Sequence, residues 1–185
     1  MIYLDNAATT MRKPPEVVRA VTGALQSFGG AGRGAHGAAL AAGMAVYEAR
    51  EALARLFDAP SPGQVAFCAN ATEALNVAIA GLLRPGDHAI TTAASHNSVL
   101  RPLYRARTAG TSLSVQPVAP DGSIDADAFE ALFRPETRLV VATHASNVTG
   151  DVYDVARLAR ISHEHGALFC LDAAQTAGVL PVRKI

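Results

Sequence analysis

From Gln64 onward the sequence alternates short apolar runs with longer amphipathic segments. The apolar runs predict strands at 64–68, 88–92, 111–116, 138–143 and 167–171. The segments between them predict helices at 72–83, 97–109, 125–133 and 153–165. Short strands separated by helices of this length are typical of parallel βαβ units. The pattern therefore predicts an α/β fold with a mostly parallel sheet flanked by helices.

Two further helices are predicted upstream of this alternation, at 15–28 and 38–58. The first begins after Pro14, which is a natural helix start. No internal repeat, low-complexity tract or linker interrupts the 185 residues. We therefore expect a single domain over 1–185, with the segment 1–37 packing on it.

Composition excludes several classes of function. The formal net charge is zero, so nothing indicates binding to nucleic acid or to an anionic membrane surface. The N-terminus lacks a basic and apolar leader, and no apolar stretch is long enough to span a bilayer. Cys68 and Cys170 lie in apolar runs and are predicted to be buried thiols of a reduced protein. These features predict a cytoplasmic location.

The predicted strand 167–171 ends in a single acid, Asp172, and Gln175 follows three residues later. Open α/β sheets bind ligands at the carboxyl ends of their strands. An aspartate there either caps the next helix or pairs with the pyridinium nitrogen of pyridoxal 5′-phosphate (PLP), which keeps the ring an electron sink. Taken alone, Asp172 favours the cap, whereas the polar residues that follow the other predicted strands favour the cofactor.

The segment 67–74 follows a predicted strand and opens a helix. A helix start carries free main-chain N–H groups and a partial positive charge, and Thr72 adds a hydroxyl donor. This combination suits a phosphate group. An ordinary helix cap remains the alternative for this segment considered alone.

Polar side chains also follow two other predicted strands. His96 lies beyond strand 88–92 and is either a surface histidine or a ring that stacks on an aromatic cofactor and relays a proton. Asn147 lies beyond strand 138–143 and either holds a turn or donates to a ring oxygen. Polar groups at four strand ends converge on one crevice, which favours a cofactor site.

Two other motifs are not interpreted as sites. The glycine spacing of Gly32 to Gly37 matches a dinucleotide fingerprint, but it follows a predicted helix instead of a strand. His163 and His165 lie at a helix end with side chains expected to point apart, and no third ligand is evident. No metal site is therefore expected.

Together these segments resemble the class V aminotransferase-like, fold-type I PLP enzymes, and within them the cysteine desulfurases. The resemblance is carried, in family order, by Tyr3–Thr10, Phe67–Glu73, Thr92–Leu100, Ser146–Gly150 and Asp172–Gln175. It extends over essentially all 185 residues. The fold it implies is the large PLP-binding domain of that class.

The resemblance implies that the main chain of Ala71 and the side chain of Thr72 hold the cofactor phosphate. It implies that His96 stacks on the pyridine ring and acts as the catalytic group in proton transfer. Asn70 stands where the family usually has glycine, and Ala69 where a small hydroxyl residue is common. Asparagine tolerates a left-handed backbone, so the loop is expected to keep its course.

The resemblance also assigns the residues around the ring atoms. Asn147 and Gln175 would bond the phenolic oxygen of the cofactor, and Asp172 would pair with its ring nitrogen. The reaction it implies converts L-cysteine to L-alanine and leaves an enzyme persulfide. It further implies a homodimer and a sulfur-acceptor protein.

One family residue is absent from this sequence. The family's Schiff-base lysine follows the aspartate motif by roughly two dozen residues, and neither Lys13 nor Lys184 occupies that place. Cys68 and Cys170 do not match the family's nucleophilic cysteine. We therefore expect the N-terminal portion of such an enzyme, inactive by itself.

Alternatives remain open from the sequence. Selenocysteine lyases and aminotransferases of class V share this cofactor scaffold, so the reaction within the class is not decided by these motifs. A non-catalytic, truncated binding subunit is a third interpretation.

Overall fold

The computed structural model describes residues 2–182, so Lys184 lies outside the described residues. They form two compact units, one ending at Ala66 and the other beginning at Phe67. The single domain expected over 1–185, with 1–37 packing on it, stays a prediction.

The first unit contains two helices, α1 (Pro15–Ser27) and α2 (Gly37–Leu56), and a short 3₁₀ helix at Pro62–Gln64. Pro15 occupies the first position of α1, where its missing N–H has no intrahelical partner to lose. Both helices predicted in this part of the sequence are confirmed.

The second unit is an open α/β sheet. Its strands are β1 (His88–Thr92), β2 (Ser112–Gln116), β3 (Thr137–Thr143) and β4 (Leu168–Asp172). Its helices are α3 (Ala71–Leu82), α4 (Asn97–Thr108), α5 (Ala126–Glu130) and α6 (Val155–Glu164). All strand pairs are parallel, in the order β2-β1-β3-β4. The predicted fold class is confirmed.

The helices cover the sheet on both faces because its side chains alternate between them. One core cluster joins α3 and α4 to the face that carries Leu139 and Val141. A second cluster joins α5 and α6 to the face that carries Val140 and Ala142. Right-handed crossovers explain this division, because β1 connects to β2 in one direction across the sheet and later connections run in the other.

The strand predicted at 64–68 is wrong. Gln64 closes the 3₁₀ helix, and the following residues, up to Cys68, form no strand. A strand needs a hydrogen-bonding partner, and this segment pairs with neither edge of the described sheet. The predicted burial of Cys68 is wrong for the same reason: its side chain is exposed, whereas Cys170 on β4 is half-buried.

No helix among the described residues is both long and apolar enough to cross a membrane.

Candidate cofactor-binding site

The carboxyl ends of β1, β3 and β4 lie side by side at one edge of the sheet. Thr91 is in register with Val141, and Thr143 is in register with Asp172. The order of the strands reverses between β1 and β3, so the chain leaves these two strands in opposite directions. Open α/β sheets form a ligand crevice at such a point.

A cleft of about 560 Å³ lies above this point. Two predicted site residues, His96 and Asn147, line it from the segments that follow β1 and β3. The loop 118–122 contributes a third wall. The other predicted site residues do not line this cleft.

Buried hydroxyl groups hold the turn that leads from β1 to His96. Thr91 Oγ1 donates to the main-chain oxygen of Val141 over 2.8 Å and lies 3.0 Å from Ser95 Oγ. Ser95 Oγ also lies 3.2 Å from Thr92 Oγ1. All three hydroxyl side chains are buried. The segment that presents His96 is therefore tied to both central strands.

His96 is the N-cap residue of α4. Its Nδ1 accepts from the main-chain N–H of Ser98 over 3.2 Å and lies 2.9 Å from Ser98 Oγ. Ser98 Oγ in turn lies 2.8 Å from Thr72 Oγ1 on α3. A chain of hydrogen bonds thus joins two predicted site residues that are distant in sequence.

The start of α3 has the features expected of an anion site. Asn70 caps the helix, because its Oδ1 accepts from the main-chain N–H of Glu73 over 2.9 Å. Glu73 Oε2 accepts from the N–H of Ala69 over 2.6 Å. Within the described part of the chain, no group accepts from the main-chain N–H of Ala71 or Thr72. Both residues are exposed, so these donors are open to a ligand.

The backbone of Asn70 differs from the expectation. Its φ of −166° is extended, so the left-handed conformation expected for a glycine-like position is not used. The side-chain cap explains the difference, because N-cap residues adopt extended backbone angles.

Asp172 ends β4 and is only 8% exposed. It lies two residues after Cys170, which packs against the core shared with α3 and α4, so strand alternation places Asp172 on that same face. The N–H of Ala174 donates to Asp172 Oδ1 over 3.1 Å. Burial, and to a lesser degree the charge of Asp172, raises the pKa of the Cys170 thiol, which favours its protonated form.

A buried histidine holds the turn after Asp172. The main-chain N–H of His144 donates to the carbonyl of Asp172 over 3.0 Å. His144 Nδ1 lies 2.9 Å from Thr176 Oγ1, and both side chains are buried. Gln175 lies between these two anchored positions and is half-buried.

Asn147 lies at the tip of a tight turn after β3. Ser146 Oγ accepts from the main-chain N–H groups of Val148 and Thr149, each over 3.2 Å. This turn leaves the side chain of Asn147 exposed at the cleft.

Sequence reasoning missed Ser98 and His144. The sequence signal for Ser98 is a hydroxyl residue two positions after an N-cap histidine, where a side chain can return to the cap. No comparable local signal marks His144, because its partner Thr176 lies on the next strand's turn. Among residues 2–182, no cluster of three or more histidine, cysteine, aspartate or glutamate side chains is placed to hold a metal ion.

Comparison with known families supports the resemblance noted in the sequence. The family described as aminotransferase class-V matches residues 2–183. A protein of Methanothermobacter thermautotrophicus described as "Probable cysteine desulfurase" is 38% identical over 98% of this chain and 45% of its own length. A protein of Aeropyrum pernix with the same description is 39% identical, over 98% and 45% respectively.

A solved structure shows the same fold. The apo cysteine desulfurase from Thermococcus onnurineus NA1 superposes with a TM-score of 0.91 at 32% identity. The alignment covers 98% of this chain and 46% of that structure. The chain therefore spans about half the length of the relatives that it matches.

Proposed function

Because this chain belongs to the aminotransferase class-V family, we propose that it is the cofactor-binding portion of a PLP-dependent cysteine desulfurase. The proposed overall reaction converts L-cysteine to L-alanine and transfers the sulfur to an enzyme cysteine as a persulfide. Relatives described as cysteine desulfurases, 38% and 39% identical over nearly the whole chain, support this reaction within the family.

The position of Asp172 is the observation that carries the proposal. A buried carboxylate at the end of a parallel strand needs a partner of opposite charge or several hydrogen bonds. The N–H of Ala174 supplies one hydrogen bond. A protonated pyridine nitrogen would supply the complementary positive charge, so the carboxylate at this edge fits the cofactor. When bound, PLP supplies the electron sink for chemistry at an amino-acid carbon.

The start of α3 would hold the phosphate end. The free N–H groups of Ala71 and Thr72 point along the helix axis, and the helix dipole adds a partial positive charge. The Thr72 hydroxyl adds a third donor to the same oxygen atoms. These groups and Asp172 lie on the same face of the sheet, so they could hold the phosphate and the ring nitrogen of one cofactor molecule.

His96, Asn147 and Gln175 would complete the site. His96 lies at the cleft, where it would stack on the ring and move a proton. Asn147 and Gln175 carry amide groups that would donate to the phenolic oxygen of the ring.

The same proposal extends to the protein's partners and location. We propose L-cysteine as substrate, a homodimer as the assembly, a sulfur-acceptor protein as partner and the cytoplasm as location. The relatives' descriptions as cysteine desulfurases support the substrate.

Binding of pyridoxamine 5′-phosphate tests the cofactor site. This probe keeps the phosphate and ring but lacks the aldehyde, so it forms no adducts with lysines. Saturable binding, followed by its fluorescence, is expected for the chain. Asp172→Asn is expected to weaken it by tenfold or more, because a charged hydrogen bond contributes about 1.5–3 kcal/mol. Asp127→Asn, which changes a 96% exposed carboxylate on α5, is the matched control.

Alanine formation tests the reaction. The protein expressed from the complete reading frame that contains this chain should release alanine from L-cysteine. Cofactor binding with no alanine from L-cysteine would assign another class V reaction, with selenocysteine and amino-group acceptors as the next substrates. Absence of saturable binding would overturn the proposal.

A further inference from the structure

Ser98 lies between two residues of the proposed site but is not itself assigned a contact with the cofactor. Its hydroxyl is within hydrogen-bond distance of Thr72 Oγ1 on one side and His96 Nδ1 on the other, at 2.8 and 2.9 Å. Ser98 is 9% exposed, whereas both of its partners are exposed. The buried serine is therefore the fixed member of this series of hydrogen-bonded side chains, and it holds the two exposed ones.

The direction of these hydrogen bonds follows from the cap of α4. The main-chain N–H of Ser98 can only donate, so the Nδ1 atom that it contacts must carry a lone pair. Ser98 Oγ then also donates to Nδ1, and its own lone pairs accept from Thr72. In the neutral ring, the hydrogen must lie on Nε2.

We propose that Ser98 is a positioning residue: its main-chain N–H and its hydroxyl together hold neutral His96 in the Nε2–H tautomer, and the hydroxyl joins the ring to Thr72. The inference rests on the proposed function, since the tautomer matters only where His96 meets the cofactor and substrate. There it fixes Nε2 as the hydrogen-bond donor of the neutral ring and excludes Nδ1 from proton exchange in the cleft.

The arrangement also leaves Thr72 able to bind an anion. When a phosphate oxygen accepts the Thr72 hydrogen, the bond to Ser98 is released, and Ser98 still donates to Nδ1. The orientation of His96 is therefore expected to survive phosphate binding, so that ring and phosphate contacts form together without competition.

Nitrogen-15 NMR of the histidines tests this directly in the full chain without cofactor. Spectra are recorded at rising pH until the ring nitrogen shifts no longer change, so that the tautomers of the neutral rings are compared. His96→Asn identifies the His96 signals, because asparagine preserves the N-cap of α4. We expect a non-protonated Nδ1 and a protonated Nε2 for His96.

Variants of Ser98 then separate the hydroxyl from the main chain. Ser98→Ala is expected to lower the Nε2–H to Nδ1–H ratio by about fivefold, the equivalent of one hydrogen bond. Ser98→Thr should restore the ratio. Thr72→Val, which keeps the contact between Ser98 and His96, should leave the ratio unchanged.

Two results would overturn the proposal: a majority Nδ1–H tautomer in the unmodified chain, or the same ratio in Ser98→Ala as in the unmodified chain. If Ser98→Ala fails to fold, Ser98→Cys replaces it as a near-isosteric weak donor, with the same expectation of a lower ratio. Because the NMR experiment is done without cofactor, a result that overturns the tautomer proposal leaves the proposed function standing. Failure of pyridoxamine 5′-phosphate to bind leaves the tautomer result standing.

Discussion

Asn70 offers a way to separate the structural role of the α3 start from its proposed role as an anion site. Its side chain caps the helix through the 2.9 Å hydrogen bond to the N–H of Glu73. Replacing a capping asparagine with alanine costs about 1 kcal/mol of helix stability. That loss corresponds to about fivefold faster hydrogen exchange of the α3 amides when they exchange by local opening.

Asn70→Asp should divide the two roles. Aspartate caps as well as asparagine, and its charge interacts favourably with the helix dipole by about 0.3–1 kcal/mol. The α3 amides should therefore exchange no faster than in the unmodified chain. A phosphate dianion one helical turn away, about 5.4 Å, meets repulsion of about 1.5 kcal/mol at the dielectric constant of water. Affinity for pyridoxamine 5′-phosphate should fall by about tenfold.

Exchange measured by mass spectrometry and binding measured by fluorescence give two independent readouts. The ionic strength should matter for the second, since salt screens the added charge. Unchanged affinity in Asn70→Asp at low salt would refute a phosphate site at this helix. Unchanged exchange in Asn70→Ala would refute the capping role.

Three further predictions concern the second unit. Gly122→Ala should lower the melting temperature, because φ is +83° and a Cβ would lie 2.6 Å from the carboxyl carbon of Asp151. Gly81→Ala should raise it, because Gly81 lies in α3 with open space around it. Equal shifts of the two melting temperatures would contradict this prediction. Burial lowers the pKa of His88, so the unfolded state takes up the proton first and the free energy of unfolding should fall as pH drops below about 6.5. Urea unfolding at several pH values should show a weaker dependence of this free energy on pH in His88→Gln, and an equal dependence would contradict the prediction. Iodoacetamide should label exposed Cys68 before Cys170, whose pKa is raised by burial. Peptide mass spectrometry measures the order of labelling, and faster labelling of Cys170 would contradict the prediction.

The strands of the sheet were predictable because each is a short apolar run between helical segments. The run 88–92 coincides with β1, and 138–143 differs from β3 by one residue. The run at 64–68 has the same local character but forms no strand. Pairing is a non-local property, and nothing within that run shows whether an edge is available to it.

The site was predictable to the level of which residues follow which strands. His96 follows β1, Asn147 follows β3, and Asp172 is the last residue of β4, as the apolar runs of the sequence indicated. The hydrogen bonds among them were not predictable. The contact between Thr72 and Ser98 depends on α3 lying beside α4, which follows from packing and not from either segment's sequence.

The position of β1 between β2 and β3 has a consequence for the order in which the sheet can form. His88 begins the strand that pairs with both Ser112 and Thr137, and its ring contacts the hydroxyls of Ser114 and Thr137. A nascent chain that has not yet emerged as far as β3 therefore carries β1 with one open edge and a buried histidine half-satisfied. Such open edges attract other strands, and closing them over a long loop is slow. Completion of β3 is thus the step that covers the second edge of β1 and supplies the second hydrogen-bond partner of the His88 ring.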